Sequence, residues 1–129
     1  MRLILILITI FISFNATAQE YQTHFPSDEF RVRREKVFDN IGKNAVAIVQ
    51  GAPDPGGYIY PRQTNEFYYL CGVENSYSYI LLDGRTKKVT LYISDETNRG
   101  WERVLSLEYP EKIKEMTGVD DVMNIDELR

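Results

Sequence analysis

Apolar residues recur at helical spacing after Ser27, where four of them share one side of a helical wheel: Phe30, Val37, Phe38 and Ile41. This spacing predicts a helix from about Ser27 to about Ile41. Ser27 suits the N-cap position because its hydroxyl can accept a hydrogen bond from the first helical turn. The charged run from Arg31 to Lys36 falls on the other sides of this helix, and we interpret it as a solvated face rather than a binding patch.

A different pattern is the unbroken apolar run from Ala45 to Val49. A strand that is covered on both faces shows such a run, whereas a strand with one solvated face alternates apolar and polar residues. The run therefore predicts an interior strand. Prolines and glycines follow it, so residues 51–57 are predicted to form a loop.

The second half of the chain shows strand patterns first and a helical pattern later. Tyr77 to Leu82 and Val89 to Ile93 are rich in β-forming residues, and the turn between them contains Asp83-Gly84, which predicts an antiparallel hairpin. Pro110 to Met116 is predicted to form a second helix, and Val119 to Met123 a short last strand. Together these elements favour an α/β fold with a mixed β-sheet flanked by helices over a sandwich or a helical bundle.

The first eighteen residues have the pattern of an export signal. Arg2 precedes a run from Leu3 to Phe14 that is dominated by Leu, Ile and Phe, and the segment Ala16-Thr17-Ala18 offers a cleavage site with small residues. The apolar run is shorter than the roughly 20 residues that span a bilayer as a helix, so cleavage is favoured over the alternative of a retained anchor. The expected product is a single domain of residues 19–129, exported to the periplasm or secreted.

Charge and composition narrow the classes of partner. The chain has 15 basic and 19 acidic side chains and a formal charge of −4, which disfavours nucleic acid and anionic membrane surfaces. Its one cysteine, Cys71, excludes an internal disulfide and lies in an apolar string, so a buried and inert thiol is favoured over a nucleophile. With one histidine, His24, the chain has no His/Cys cluster for zinc.

One stretch of thirteen residues, from Tyr60 to Gly72, carries a family resemblance. It resembles the Arg-Gln-x-x-x-Phe-x-Tyr-Leu-x-Gly stretch of the aminopeptidase P (Xaa-Pro aminopeptidase) N-terminal domain. Neighbouring features support the match, namely the Arg33-Arg34 pair, Trp101-Glu102 and the stretch Gly118-Val119-Asp120. The resemblance covers nearly all of the chain after residue 18. Three positions depart from the family pattern: Pro61, Cys71 and Arg103.

The resemblance implies a two-part protein. The part present here would be the N-terminal domain of the creatinase/prolidase type, and a C-terminal pita-bread domain would bind two divalent metals, commonly manganese. The full-length protein would then release the N-terminal residue of a peptide whose second residue is proline. The family's metal ligands, two Asp, one His and two Glu, belong to the second part, so this chain alone is expected to hold no metal or catalytic residue and to be inactive.

Partners and site residues follow from the same resemblance. The expected partners are the catalytic domain, other subunits of the full-length enzyme and the peptide substrate. Trp101 aligns with the family's tryptophan and is the first candidate for reaching the substrate route, with covering of the hairpin as the alternative. Arg62 is the second candidate, although a structural role, bonding backbone carbonyls or an acid at the edge of the core, is the stronger reading. The competing function is a stand-alone exported module that binds a peptide or partner without catalysis.

Overall fold

Three α-helices and four strands make up most of the described part of the chain, which in this computed structural model comprises residues 25–56, 62–94, 105 and 107–128. The elements are α1 (Ser27–Ile41), β1 (Val46–Gln50), α2 (Asn65–Cys71), β2 (Tyr79–Asp83), β3 (Lys88–Ile93), α3 (Pro110–Thr117) and β4 (Asp121–Asn124), followed by a 3-10 turn (Ile125–Glu127). The predicted leader at 1–18 and Trp101 lie outside the described residues.

The four strands form one sheet in the order β1-β2-β3-β4. β1 pairs with β2 and β2 with β3 in antiparallel register, with Ile48 opposite Leu81 and Leu81 opposite Thr90. β4 runs parallel to β3, and the connection between them contains α3. The sheet is therefore mixed, which confirms the predicted fold class, and the predicted hairpin is confirmed as β2–β3.

The core lies between one face of this sheet and the three helices. Alternate residues of the central strands point to that face, and each helix contributes buried apolar side chains to it. Its fully or nearly fully buried members include Phe38, Phe67, Leu70, Ile80, Leu82, Leu91, Ile93 and Ile113. Cys71 belongs to the same cluster, so the prediction of a buried thiol is confirmed.

The prediction of an interior position for the strand after Ala45 is wrong. β1 pairs only with β2 among the described strands, so it forms an edge of the sheet. Ala47 and Val49 pack against the core, whereas Val46 and Ile48 are 47% and 53% exposed. An unbroken apolar run predicts a strand, but it does not say whether a partner covers the second face.

The helix α2 was not predicted from the sequence. It has only seven residues, and its aromatic side chains have weak helix propensity. Its end is determined by Gly72, which adopts φ +68° and lies against the ring of Phe30 so closely that a Cβ would overlap the ring. A side chain at position 72 would meet both left-handed backbone strain and this contact.

Both ends of the described chain differ in detail from the predicted elements. The N-cap position of α1 is held by Pro26 rather than Ser27, without a side-chain hydrogen bond. At the other end, the last strand is Asp121–Asn124 rather than Val119 to Met123, and Asn124 and Glu127 form a capping box around the 3-10 turn that follows it. Among the described helices, none has the length and apolar content needed to cross a membrane.

Candidate functional site

The motif that begins at Arg62 forms a junction between three segments of the chain. The side chain of Gln63 accepts a hydrogen bond from the backbone N–H of Ala52 (2.7 Å) and donates one to the carbonyl of Asn75 (2.5 Å). Gly51 leaves room for it, since a Cβ there would lie 2.8 Å from Gln63 Oε1. Gln63 therefore holds the loop after β1 against the loop before β2.

Thr64, the next residue of the motif, joins this junction to α2 and β1. Its hydroxyl accepts from the backbone N–H of Phe67 (3.4 Å), which makes it the N-cap of α2, and donates to the carbonyl of Gln50 (3.3 Å). Phe67 is then fully buried in the core. Gln63 and Thr64 thus have structural roles that fix where Arg62 stands.

Arg62 itself is exposed, and within the described part of the chain it makes no hydrogen bond or ion pair. The backbone-bonding role expected for Arg62 belongs instead to Arg34. Trp101, the other predicted site residue, lies outside the described residues. The structure therefore places Arg62 at a solvent-facing position beside the junction that Gln63 and Thr64 form.

The most extensive polar interaction in the described structure is made by Arg34. Its guanidinium donates to the carbonyls of Leu70 (2.9 Å) and Thr117 (2.9 Å) through Nη1 and to that of Gly118 (2.6 Å) through Nη2. These carbonyls lie at the C-terminal ends of α2 and α3, where helical carbonyls lack intrahelical partners and the helix dipole is negative. One cation therefore closes two helix ends against α1.

Arg33 makes similar contacts closer to the surface. It donates to the carbonyl of Tyr69 (3.1 Å) and pairs with Glu29 (3.0 Å). Its guanidinium lies 4.3 Å from the ring centroid of Phe25 and 4.5 Å from that of Tyr69, which are cation–π distances. The prediction that the run Arg31–Lys36 is a solvated face is wrong for Arg33 and Arg34, which are both buried.

The sequence did contain a signal for Arg34. It lies four residues after Phe30 and four before Phe38, so it occupies the centre of the apolar stripe of α1. A charged residue at such a position indicates a buried and bonded cation rather than a solvated one. No such signal exists for Gln63. Its partners, Ala52 and Asn75, lie in irregular segments, and no sequence pattern predicts that these segments meet.

Burial changes the titration of the two ionisable groups at the centre of the domain. Desolvation lowers the pKa of Arg34 from 12.5 to about 10, so the guanidinium remains charged at neutral pH. Desolvation also raises the pKa of the Cys71 thiol from 9.0 to about 12. The thiol donates to the carbonyl of Phe67 (3.3 Å) and is neutral at physiological pH, which makes it a poor nucleophile.

The adjacent acidic residues Asp120 and Asp121 have separate partners. Asp120 Oδ2 accepts from the backbone N–H of Val89 (2.8 Å), and Asp121 lies 3.4 Å from Lys114, which also pairs with Glu111. Within the described residues there is no group of three or more His, Cys, Asp or Glu that could hold a metal ion. The side chains described here therefore do not fit the family's metals, and no catalytic step is assigned to them.

The mixed sheet and its three helices, held together by a buried arginine, define a small α/β domain. The chain belongs to the aminopeptidase P family, because the model for the aminopeptidase P N-terminal domain matches residues 30–129. The comparison with curated proteins gave no match.

Solved structures show the same fold. Proline aminopeptidase P II from Yersinia pestis is 22% identical with a TM-score of 0.65 over 81% of this chain. Zinc-substituted aminopeptidase P from Escherichia coli in complex with product is 20% identical with a TM-score of 0.67 over 81%. The same enzyme with the inhibitor Pro-Leu is 23% identical with a TM-score of 0.65. The matches cover 26%, 25% and 25% of those chains, so this chain spans about a quarter of their length.

Replacing Arg34 by Met should lower the free energy of unfolding by on the order of 3 kcal/mol, because three helix-end carbonyls lose their donor inside the protein. Replacing Arg31 by Met provides the control on the same helix. Its side chain is 61% exposed and, among the described residues, forms an ion pair with Asp28 alone, so the change should stay within about 0.5 kcal/mol. Urea denaturation of both variants measures the difference. Equal losses of unfolding free energy would contradict the structural role of the Arg34 hydrogen bonds.

Cys71 should make stability depend on alkaline pH. The thiol ionises at pH 9.0 in the unfolded chain but only at about pH 12 in the folded one, so the folded state retains a proton that the unfolded state loses. The stability advantage of the wild type over Cys71→Ala should be constant below pH 9 and shrink above it, by at most about 1.4 kcal/mol per pH unit.

Urea denaturation from neutral pH to pH 10 measures this difference. Arg34, whose pKa burial lowers to about 10, begins to lose its proton toward the end of this window, but it is present in both proteins, so its own contribution largely cancels. A difference that stays constant through pH 10 would show that the thiol is less buried than the structure indicates.

Proposed function

We propose that this chain is the N-terminal, non-catalytic domain of a Xaa-Pro aminopeptidase. The observation that carries the proposal is the match of the family model to residues 30–129, on a fold that agrees with solved aminopeptidase P structures. The whole protein would hydrolyse the peptide bond between the first residue and a proline in second position. This chain would supply the domain that packs beside the catalytic cleft and restricts entry to peptides with a free amino end.

The chemistry would reside in a catalytic domain that is separate from the described residues. There, two divalent metals, proposed to be manganese, would polarise the scissile carbonyl and activate water when bound. The absence of a metal-ligand group among the described residues is compatible with this division. What the described residues supply is a rigid body whose loops are held by Gln63 and whose helix ends are held by Arg34.

Arg62 and Trp101 are proposed to contact the peptide or the route by which it enters. Arg62 is exposed and lies outside the helices and strands, yet its neighbour Gln63 is fixed by two hydrogen bonds, so the guanidinium starts from a defined position. A guanidinium donates paired hydrogen bonds to carboxylate or carbonyl oxygens of a peptide. An indole face suits a proline ring.

The protein is further proposed to be exported. The basic start, the apolar run and the small residues around Ala18 support cleavage of the leader and a periplasmic or secreted location. The single cysteine is buried and free, so this chain would not depend on a disulfide in an oxidising compartment.

The reading frame beyond the codon for Arg129 tests the main proposal. We expect it to encode a domain with an Asp/Asp/His/Glu/Glu ligand set, and the longer protein should release the first residue of a Xaa-Pro peptide in the presence of Mn²⁺. The chain ending at Arg129 serves as the control and should be inactive. No such domain in any frame, together with specific peptide binding by the chain alone, would favour a stand-alone exported module instead.

In the longer protein, Arg62→Ala should raise KM for a Xaa-Pro peptide by on the order of tenfold, because a hydrogen bond to the substrate is lost. The matched control is Arg85→Ala. Arg85 is also exposed but lies in the β2–β3 turn, where it pairs with Asp83 at 3.1 Å, so KM should not change. Steady-state kinetics distinguishes the two, and an unchanged KM for Arg62→Ala would remove Arg62 from the substrate route.

A further inference from the structure

The outer edge of β1 presents backbone groups and apolar side chains at the same residues. Gly51 N donates to Ser78 O (2.8 Å) and Gly84 N to Ala45 O (3.0 Å), which continues the β1–β2 register. In an antiparallel ladder the residues bonded to one neighbour alternate with those that face away. Odd-numbered residues of β1 therefore bond β2, and the N–H and C=O groups of Val46 and Ile48 point away from the sheet.

These outward groups have no hydrogen-bond partner within the described part of the chain, and the side chains of both residues are about half exposed. The strand contains no charged residue, proline or glycine. Natural edge strands usually carry such residues, or a covering element, to prevent pairing with another strand. β1 has none of these protecting residues, so its outer edge can pair with another strand.

We propose that β1 pairs antiparallel with β1 of a second copy of this chain, across a two-fold axis at Ala47. In that register Val46 of each copy lies opposite Ile48 of the other, and each pair exchanges both backbone hydrogen bonds. The four bonds use all the outward groups of these two residues. The two exposed apolar side chains of each copy also meet on one face, which is the self-complementary contact of a closed dimer.

The position of Thr64 is consistent with this register rather than a longer one. Its hydroxyl already donates to the carbonyl of Gln50 (3.3 Å), the next outward group along the strand, so pairing is confined to Val46 and Ile48. The resulting sheet would have eight strands and be continuous across both copies. Short, specific pairing of this kind closes a dimer instead of propagating into a fibre.

Charge complementarity favours a second copy as the occupant. Lys43 precedes the Val46 end of the strand, and Glu66 lies in the first turn of α2, which Thr64 attaches to the Gln50 end. Both side chains are exposed and have no ion pair within the described residues. The two-fold axis brings the Val46 end of one copy to the Gln50 end of the other, so Lys43 and Glu66 face each other at both ends of the contact.

Sedimentation of the full chain at a series of concentrations tests the proposal. The wild type should be a dimer that dissociates on dilution. Ile48→Lys should weaken dimerisation by on the order of tenfold or more, since a charge enters an apolar contact. The control Val32→Lys changes a residue on α1 that is 55% exposed, and it should dimerise like the wild type.

Two further variants test the backbone pairing and its register. Ile48→Pro removes an outward N–H and should give a folded monomer, whereas Val49→Pro removes an inward N–H and should unfold the domain. Ala47→Cys places two thiols opposite each other across the axis and should form a covalent dimer on mild oxidation, which Val49→Cys should not. The proposal is overturned by a wild-type monomer, by open-ended aggregates, or by a dimer that is insensitive to Ile48→Lys. None of these results depends on peptidase activity.

Discussion

A single buried guanidinium connects the three described helices. Arg34 extends from α1 and donates to the carbonyl ends of α2 and α3. Burying a charge is costly, and here the cost is offset because the cation meets three carbonyl dipoles at the negative ends of two helices. The positions of α2, of the loop that carries Arg62 and of the strand that follows α3 all depend on this contact, so a mainly structural residue determines where the candidate functional residues stand.

The elements that rest on periodicity were predictable, and so was the fold class. The apolar spacing of α1, the Asp-Gly turn of the β2–β3 hairpin and the Pro-to-Gly limits of α3 each follow from local chemistry. The family was recognisable because the Arg62 to Gly72 stretch is both long and distinctive. Gln63 and Thr64 explain part of that distinctiveness, since each makes hydrogen bonds that join separate segments.

Sequence patterns do not show which helices and strands lie next to one another. The run from Ala45 to Val49 predicts a strand, but its position at an edge depends on the order of strands, which no local pattern encodes. α2 is too short for a helical period to be visible, and it is held by its Thr64 cap and by Arg34. The charge of Arg34 favours a solvated position, but its place in the apolar stripe between Phe30 and Phe38 determines that it is buried.

The long reach of Arg34 has a kinetic consequence. Its partners are 36, 83 and 84 residues further along the chain, so the first helix cannot complete its contacts until Gly118 has been synthesised. Contacts of such separation slow folding, because a large loop must close before they form. A nascent chain would therefore remain incompletely packed through most of its elongation, and if the protein is exported as proposed, this delay would let it pass an export channel before the final structure forms.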